Sequence, residues 1–104
     1  MAPSVYTDIM KAKKVDINQK DIVSTLRKFG VSVFCLHEVG RGCPDLLCGF
    51  GGKTFLAEVK RDKRATFTKH QVEFMLKWHG GEIHRLESED DALELIKSLK
   101  SGKC

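Results

Sequence analysis

Apolar residues recur in this chain at two spacings, and the switches between them mark out its elements. Ile22, Leu26 and Phe29 stand at helical spacing with Val23 beside them, after Asp16 as a candidate N-cap and before Gly30 as a stop. Gln19 falls on the same stripe near its start. The run VSVFCL (Val31 to Leu36) is β-branched and apolar on both faces, which predicts a central strand covered on both sides. LLCGF and TFLAEVK predict two further strands around Gly51-Gly52, a two-residue signature of a tight hairpin. Thr68 and Gln71 match a capping box and open a second helix, whose inward stripe is Gln71, Phe74, Met75 and Trp78 and whose end is Gly80-Gly81. EIHRL (Glu82 to Leu86) predicts a short strand, and Ser88 caps a last amphipathic helix carrying Ala92, Leu95, Ile96 and Leu99. The order αβββαβα predicts an α/β fold with a mixed sheet flanked by helices. Residues 1–15 show little periodicity and carry Lys11, Lys13 and Lys14, so they read as a basic N-terminal arm before a single domain over 16–104.

Composition narrows the class. With 104 residues, 41% apolar and 31% charged, the chain suits one soluble globular domain and is too apolar for a disordered one. No apolar run approaches the roughly 18 residues of a membrane span, and the start MAPSVYTDIMKAKK lacks the apolar core of a signal peptide, so a cytoplasmic location and no membrane partner are expected. Cys35, Cys43, Cys48 and Cys104 form no C-x-x-C pair, and the three in strand-like segments read as small buried residues. The net charge of +4 is unevenly spread: residues 1–81 carry 14 Lys/Arg against 8 Asp/Glu, and residues 82–104 carry 4 against 6. That asymmetry suits a polyanionic partner.

The hairpin turns charge into chemistry. If Gly51 and Gly52 are the two loop residues, Phe50 pairs with Lys53 and Asp45 falls opposite Glu58. Opposed residues share a face with Cβ atoms about 4.5–5.5 Å apart, and Lys60, two residues after Glu58, joins them. Two adjacent carboxylates repel unless a cation sits between them. Oxygen ligands with room for water suit Mg²⁺ or Mn²⁺. The alternative is a surface salt-bridge cluster in which Lys60 neutralises the two acids. A three-residue loop would shift the register by one and separate Asp45 from Glu58.

Pro44-Asp45, twelve intervening residues, and Glu58-Val59-Lys60 resemble the PD-(D/E)xK signature of the restriction-endonuclease-like nucleases. VGRGCPDLL before it, the glycine turn inside it and the later TFTKHQVEFMLKWHG resemble the VRR-Nuc family more specifically, in particular its short stand-alone phage and prophage members. The similarity runs from about Asp16 to Leu95 and implies the family's αβββαβ core. It further implies a metal-dependent phosphodiesterase acting on DNA, leaving 5′-phosphate and 3′-hydroxyl ends. Carried over by position, Asp45, Glu58 and the Val59 carbonyl would ligate Mg²⁺ or Mn²⁺, and Lys60 would orient or deprotonate the attacking water. Many relatives add a glutamate from the first helix; here that helix begins Asp16-Ile17-Asn18-Gln19-Lys20-Asp21, and Gln19 is the candidate substitute, with Asn18 and Asp21 behind it and a capping role for Gln19 beside Asp16 as the alternative. Gln71 matches a family glutamine near the catalytic lysine; its capping box with Thr68 is the alternative, but Gln71 shares its stripe with Phe74 and Trp78 and so faces inward, which favours the site role. Arg41, Arg61, Lys63, Arg64 and Lys69 are candidate DNA contacts, with solvated loops as the alternative. Trp78 reads as core. The short family members resemble Holliday-junction resolvases, which implies a homodimer acting on a four-way or other branched DNA. The alternatives are a flap, nick or end-processing nuclease in a phage recombination or packaging machine, and a non-catalytic DNA-binding module of the same fold.

Overall fold

The structure is a computed structural model that describes residues 18–102. The basic arm, Asp16 and Cys104 therefore lie outside the described residues. Residues 18–28 are helical (α1), and they bury Ile22, Val23 and Leu26. The helix stops as its pattern predicts: the Gly30 N–H donates to the Arg27 carbonyl and the Val31 N–H to the Leu26 carbonyl, a Schellman closure. Among the described residues four strands follow with two more helices: β1 (Ser32–Cys35), β2 (Leu46–Phe50), β3 (Lys53–Val59), α2 (Lys69–Lys77), β4 (Ile83–Leu86) and α3 (Glu89–Lys100).

The strands form one mixed sheet in the order β1-β2-β3-β4, antiparallel up to β3 and parallel between β3 and β4, where α2 lies on the crossover. Alternation along the strands divides the residues between two faces. Val33, Leu46, Cys48, Phe55, Ala57, Val59 and Leu86 join Ile22 and Leu26 of α1 and Ala92, Leu95 and Ile96 of α3 in one apolar cluster. Leu47, Leu56 and Glu58 take the opposite face. Among the described residues no helix is long and apolar enough to cross a membrane.

Three expectations are corrected. Among the described residues VSVFCL is an edge strand, not a central one: β1 pairs only with β2, and Phe34 (65% exposed) and Cys35 lie open to solvent. An apolar run shows that a strand tolerates cover on both faces, but its place in the sheet depends on which strands pair with it. The cysteines divide accordingly: Cys48 is buried, with its thiol pushed up to about 12 by burial, Cys43 is half-buried and Cys35 is exposed. Trp78 is not core. Its α2 buries none of its residues, only Gln71, Phe74 and Met75 are partly covered, and Trp78 is 40% exposed.

Candidate active site

Gly51 and Gly52 have φ of 58° and 83°, the left-handed backbone that a primed two-residue turn needs at both positions. The turn pairs Phe50 with Lys53 and carries that register to Leu46 opposite Ala57. One step further, Asp45 and Glu58 come side by side at the mouth of the hairpin. The Val59 N–H donates to Asp45 Oδ2 at 2.8 Å, so β3 itself holds the aspartate in place. A strand residue's N–H and C=O project to the same edge, which directs the Val59 carbonyl towards Asp45 as well.

Glu58 is buried, with 5% of its surface exposed. Its Oε2 lies 3.3 Å from Lys60 Nζ and accepts a hydrogen bond from Gln71 Nε2 at 2.6 Å. Gln71 Oε1 accepts from Lys60 Nζ at 2.8 Å, closing a ring of three side chains. The capping box is present as well: Gln71 Oε1 accepts from the Thr68 N–H, and Thr68 Oγ1 accepts from the Gln71 N–H. The two readings of Gln71 are thus the two ends of one arrangement, in which the cap aims the amide that joins lysine to glutamate. Behind the lysine, its N–H donates to the Leu86 carbonyl and its own carbonyl accepts from Asn18 Nδ2 at 3.1 Å. Its ammonium also lies 5.3 Å from the centre of the Phe67 ring.

The Lys60–Glu58 ion pair of the salt-bridge alternative does form, but inside the protein rather than on its surface, since the two side chains are only 11% and 7% exposed. Among the described residues one lysine faces two acids there, and Glu58 Oε1 is buried with no hydrogen-bond partner. Burial pushes the pKa of Asp45 up against the opposing pull of the Val59 N–H, Lys60, a side-chain hydrogen bond with Glu58, and His37. Glu58 is pushed up by burial and then by the charge of Asp45, while Lys60 and Gln71 oppose the shift. The nearby Cys43 thiol is raised by burial and by both acids. An orphaned buried carboxylate oxygen beside a second carboxylate is an unfilled demand for positive charge. Among the described residues no group of three or more His, Cys, Asp or Glu has metal-binding spacing, so the protein offers two carboxylates and a carbonyl. That small hard-oxygen set fits a cation such as Mg²⁺, which keeps several waters, better than one needing a full protein cage.

The other candidate residues lie apart. Gln19 is buried on α1, but the described hydrogen bond from α1 to the site strand comes from its neighbour Asn18. Arg61, Lys63 and Arg64 are exposed on the segment between β3 and α2, and Lys69 is exposed at the first position of α2. That segment is braced rather than loose: Asp62 Oδ1 accepts from the Arg64 and Ala65 N–H groups, and Arg85 Nη2 donates to the Asp62 and Ala65 carbonyls. Arg41 has φ of 55° and stands across a groove from α2. Asn18, which stood behind Gln19 as a further candidate at the helix start, is thus the residue that reaches the site strand, while Cys43 and Arg85 were the residues missed.

Among solved structures, one described as a VRR_NUC domain superposes with a TM-score of 0.69 and 26% sequence identity, over 81% of this chain and 95% of that one. No family model matches the sequence, and no curated protein does.

Proposed function

We propose that this chain, which superposes on a VRR_NUC domain over 81% of its length, is a metal-dependent, structure-selective DNA endonuclease. One observation carries the reading: a buried Glu58 with an orphan oxygen, beside Asp45 and linked through Gln71 to Lys60. Asp45, Glu58 Oε1 and the Val59 carbonyl would hold Mg²⁺ or Mn²⁺. Such an ion supplies acidification of water and neutralisation of charge that builds on the phosphate. The chain's own residues do the rest. The Val59 N–H fixes the Asp45 carboxylate, and Gln71 fixes both Glu58 and Lys60, so little reorganisation is needed when substrate arrives. Lys60 presents its remaining N–H donors towards the carboxylate pair, where it orients the attacking water against the phosphate. Arg61, Lys63, Arg64 and Lys69 would grip flanking phosphates.

The substrate we propose is a four-way junction or related branched DNA, cut by a homodimer, since one small domain with one such site needs a two-fold partner to cut two strands symmetrically. The test is cleavage of end-labelled four-way junction, flap, nicked and linear duplex DNAs with Mg²⁺, Mn²⁺ or EDTA, comparing wild type with Lys60→Ala. Paired symmetric cuts in the junction, dependent on metal and lost in the variant, are expected. Cuts at flaps or ends alone would discard the junction and the dimer but keep the nuclease. Tight binding without any cleavage would leave a DNA-binding module.

A further inference from the structure

Phe74 of α2 and Trp78, the residue that caps its C-terminus, carry two aromatic rings that the acid pair does not use. Phe74 and Trp78 stand one helical turn apart and stack, with ring centroids 5.5 Å apart and planes 18° from parallel. With Arg41, His70, Glu73 and Lys77 they line a groove of about 460 Å³. Trp78 is exposed without being loose: its Nε1 donates to the Gly81 carbonyl at 2.7 Å, and its six-membered ring lies against Gly80. An open aromatic surface already fixed in orientation loses little freedom when a flat ligand covers it.

The rim of the groove is cationic. Arg41 and Lys77 have no acidic partner among the described residues, while Glu73 faces His70 at 3.7 Å. The groove is also coupled to the acid pair. His70 lines it, and the next residue, Gln71, turns inward to Glu58 and Lys60. Gly42, which follows Arg41, packs so closely on the His70 carbonyl and the Gln71 N–H that any side chain there would collide with them. Arg41 is thereby tied to the helical turn that carries Gln71.

We propose that this groove takes one unpaired nucleotide of the DNA substrate, its base against Phe74 and Trp78 and its phosphates on Arg41 and Lys77. The assignment rests on the nuclease reading and supplies its structure selectivity. Stacking accepts any base, so the groove would select DNA by the availability of an unpaired base, which a junction, flap or gap offers and a continuous duplex withholds. An apolar protein surface would strip water from Arg41 and Lys77 without returning counter-charge, whereas a nucleotide satisfies the rings and the cations together.

Trp78 is the single tryptophan of the chain, so its emission reports on this groove. The full chain, in EDTA, is titrated with oligothymidylate and with a fully paired duplex of equal length, while anisotropy of labelled DNA follows affinity. Oligothymidylate should quench Trp78 and the duplex should not. Phe74→Ala and Trp78→Ala should each weaken oligothymidylate binding roughly tenfold and spare duplex binding, with Trp78→Phe within about twofold of wild type. Circular dichroism checks that the variants fold, and Phe74→Ala leaves the Trp78–Gly81 bond in place if Trp78→Ala does not fold. Arg41→Ala should lower the salt dependence of binding by about one phosphate contact. DNA binding with unchanged tryptophan emission would overturn the proposal, as would equal losses on both DNAs. Emission that changes with protein concentration in the absence of DNA would give the groove to a second copy of the chain instead. Cleavage run in parallel separates the two readings: quenching without cutting upholds the groove and removes the nuclease, and cutting of branched DNA without quenching removes the groove alone.

Discussion

On one face of the sheet, Ile22 and Leu26 of α1 and Ala92 and Ile96 of α3 close over Leu46, Cys48, Ala57 and Val59 in a continuous apolar cluster. On the other, the same strand β3 turns Glu58 towards α2, a helix that buries none of its residues. One strand thus serves both faces through its period of two, with Ala57 and Val59 in the core and Glu58 between them in the site. The lesson is that the site is rigid because its carrier is core, and the helix that completes it needs only a single side chain, Gln71. Breaking the two faces should therefore have separable results. Leu26→Ala should cost about 2–5 kcal/mol of stability, read as a lowered urea midpoint, since it empties a fully buried position. Lys60→Ala should instead lower the cutting rate by about 10²–10⁴-fold with a native circular dichroism spectrum. An unfolded Lys60→Ala protein would mean that the second face also holds the fold together.

A smaller effect sharpens the same contrast. Burial makes Asp45 and Glu58 easier to protonate in the folded chain than in the unfolded one, and Asp45 adds to the shift of Glu58. The folded state therefore binds more protons, and without metal its stability falls as pH rises from the ordinary carboxylate range near about 4 through the raised folded-state values. Below that range the penalty is absent, and above the folded values it is fully present. Asp45→Asn removes one charge and relieves the other, so its melting temperature in EDTA at pH 7 should rise above wild type and vary less with pH. Added Mg²⁺ should then stabilise wild type and leave Asp45→Asn unmoved, because only the former keeps the proposed ligand pair. A variant that melts lower in EDTA at pH 7 would show that Asp45 stabilises the metal-free fold.

How far these features were legible follows from how local each one is. The register that sets Asp45 beside Glu58 could be read because Gly51-Gly52 restricts the hairpin to a two-residue turn, and both glycines do adopt positive φ. The αβββαβα order was carried by runs of period two and near 3.6, and the elements fall within a residue or two of it. Strand order was not legible for β1, since its apolar run says nothing of which neighbours pair with it. Trp78 was misplaced for a related reason: a stripe shows which residues share a helix face, not whether anything covers it. Asn18 on the Lys60 carbonyl and Arg85 on the Asp62 carbonyl span 42 and 23 residues of sequence, and no local pattern encodes such contacts.

The boundary between the two faces passes through α2's first turn, where the smallest difference should appear. Thr68 and Gln71 both belong to the capping box, but only Gln71 reaches Lys60 and Glu58. Thr68→Ala removes the acceptor for the Gln71 N–H and should cost about 0.5–2 kcal/mol. Glu58 and Lys60 still hold the Gln71 amide in that variant, so cutting should stay near wild type. Gln71→Ala should lose a similar amount of stability and, in addition, slow the rate of cutting with little change in the DNA concentration needed, because Lys60 loses its 2.8 Å acceptor. Paired melting curves and single-turnover rates for the two variants make the comparison. If Thr68→Ala cuts as slowly as Gln71→Ala, the amide is not held by its site partners, and the placement of the whole helix start, not the link from glutamine to lysine, is what the site requires.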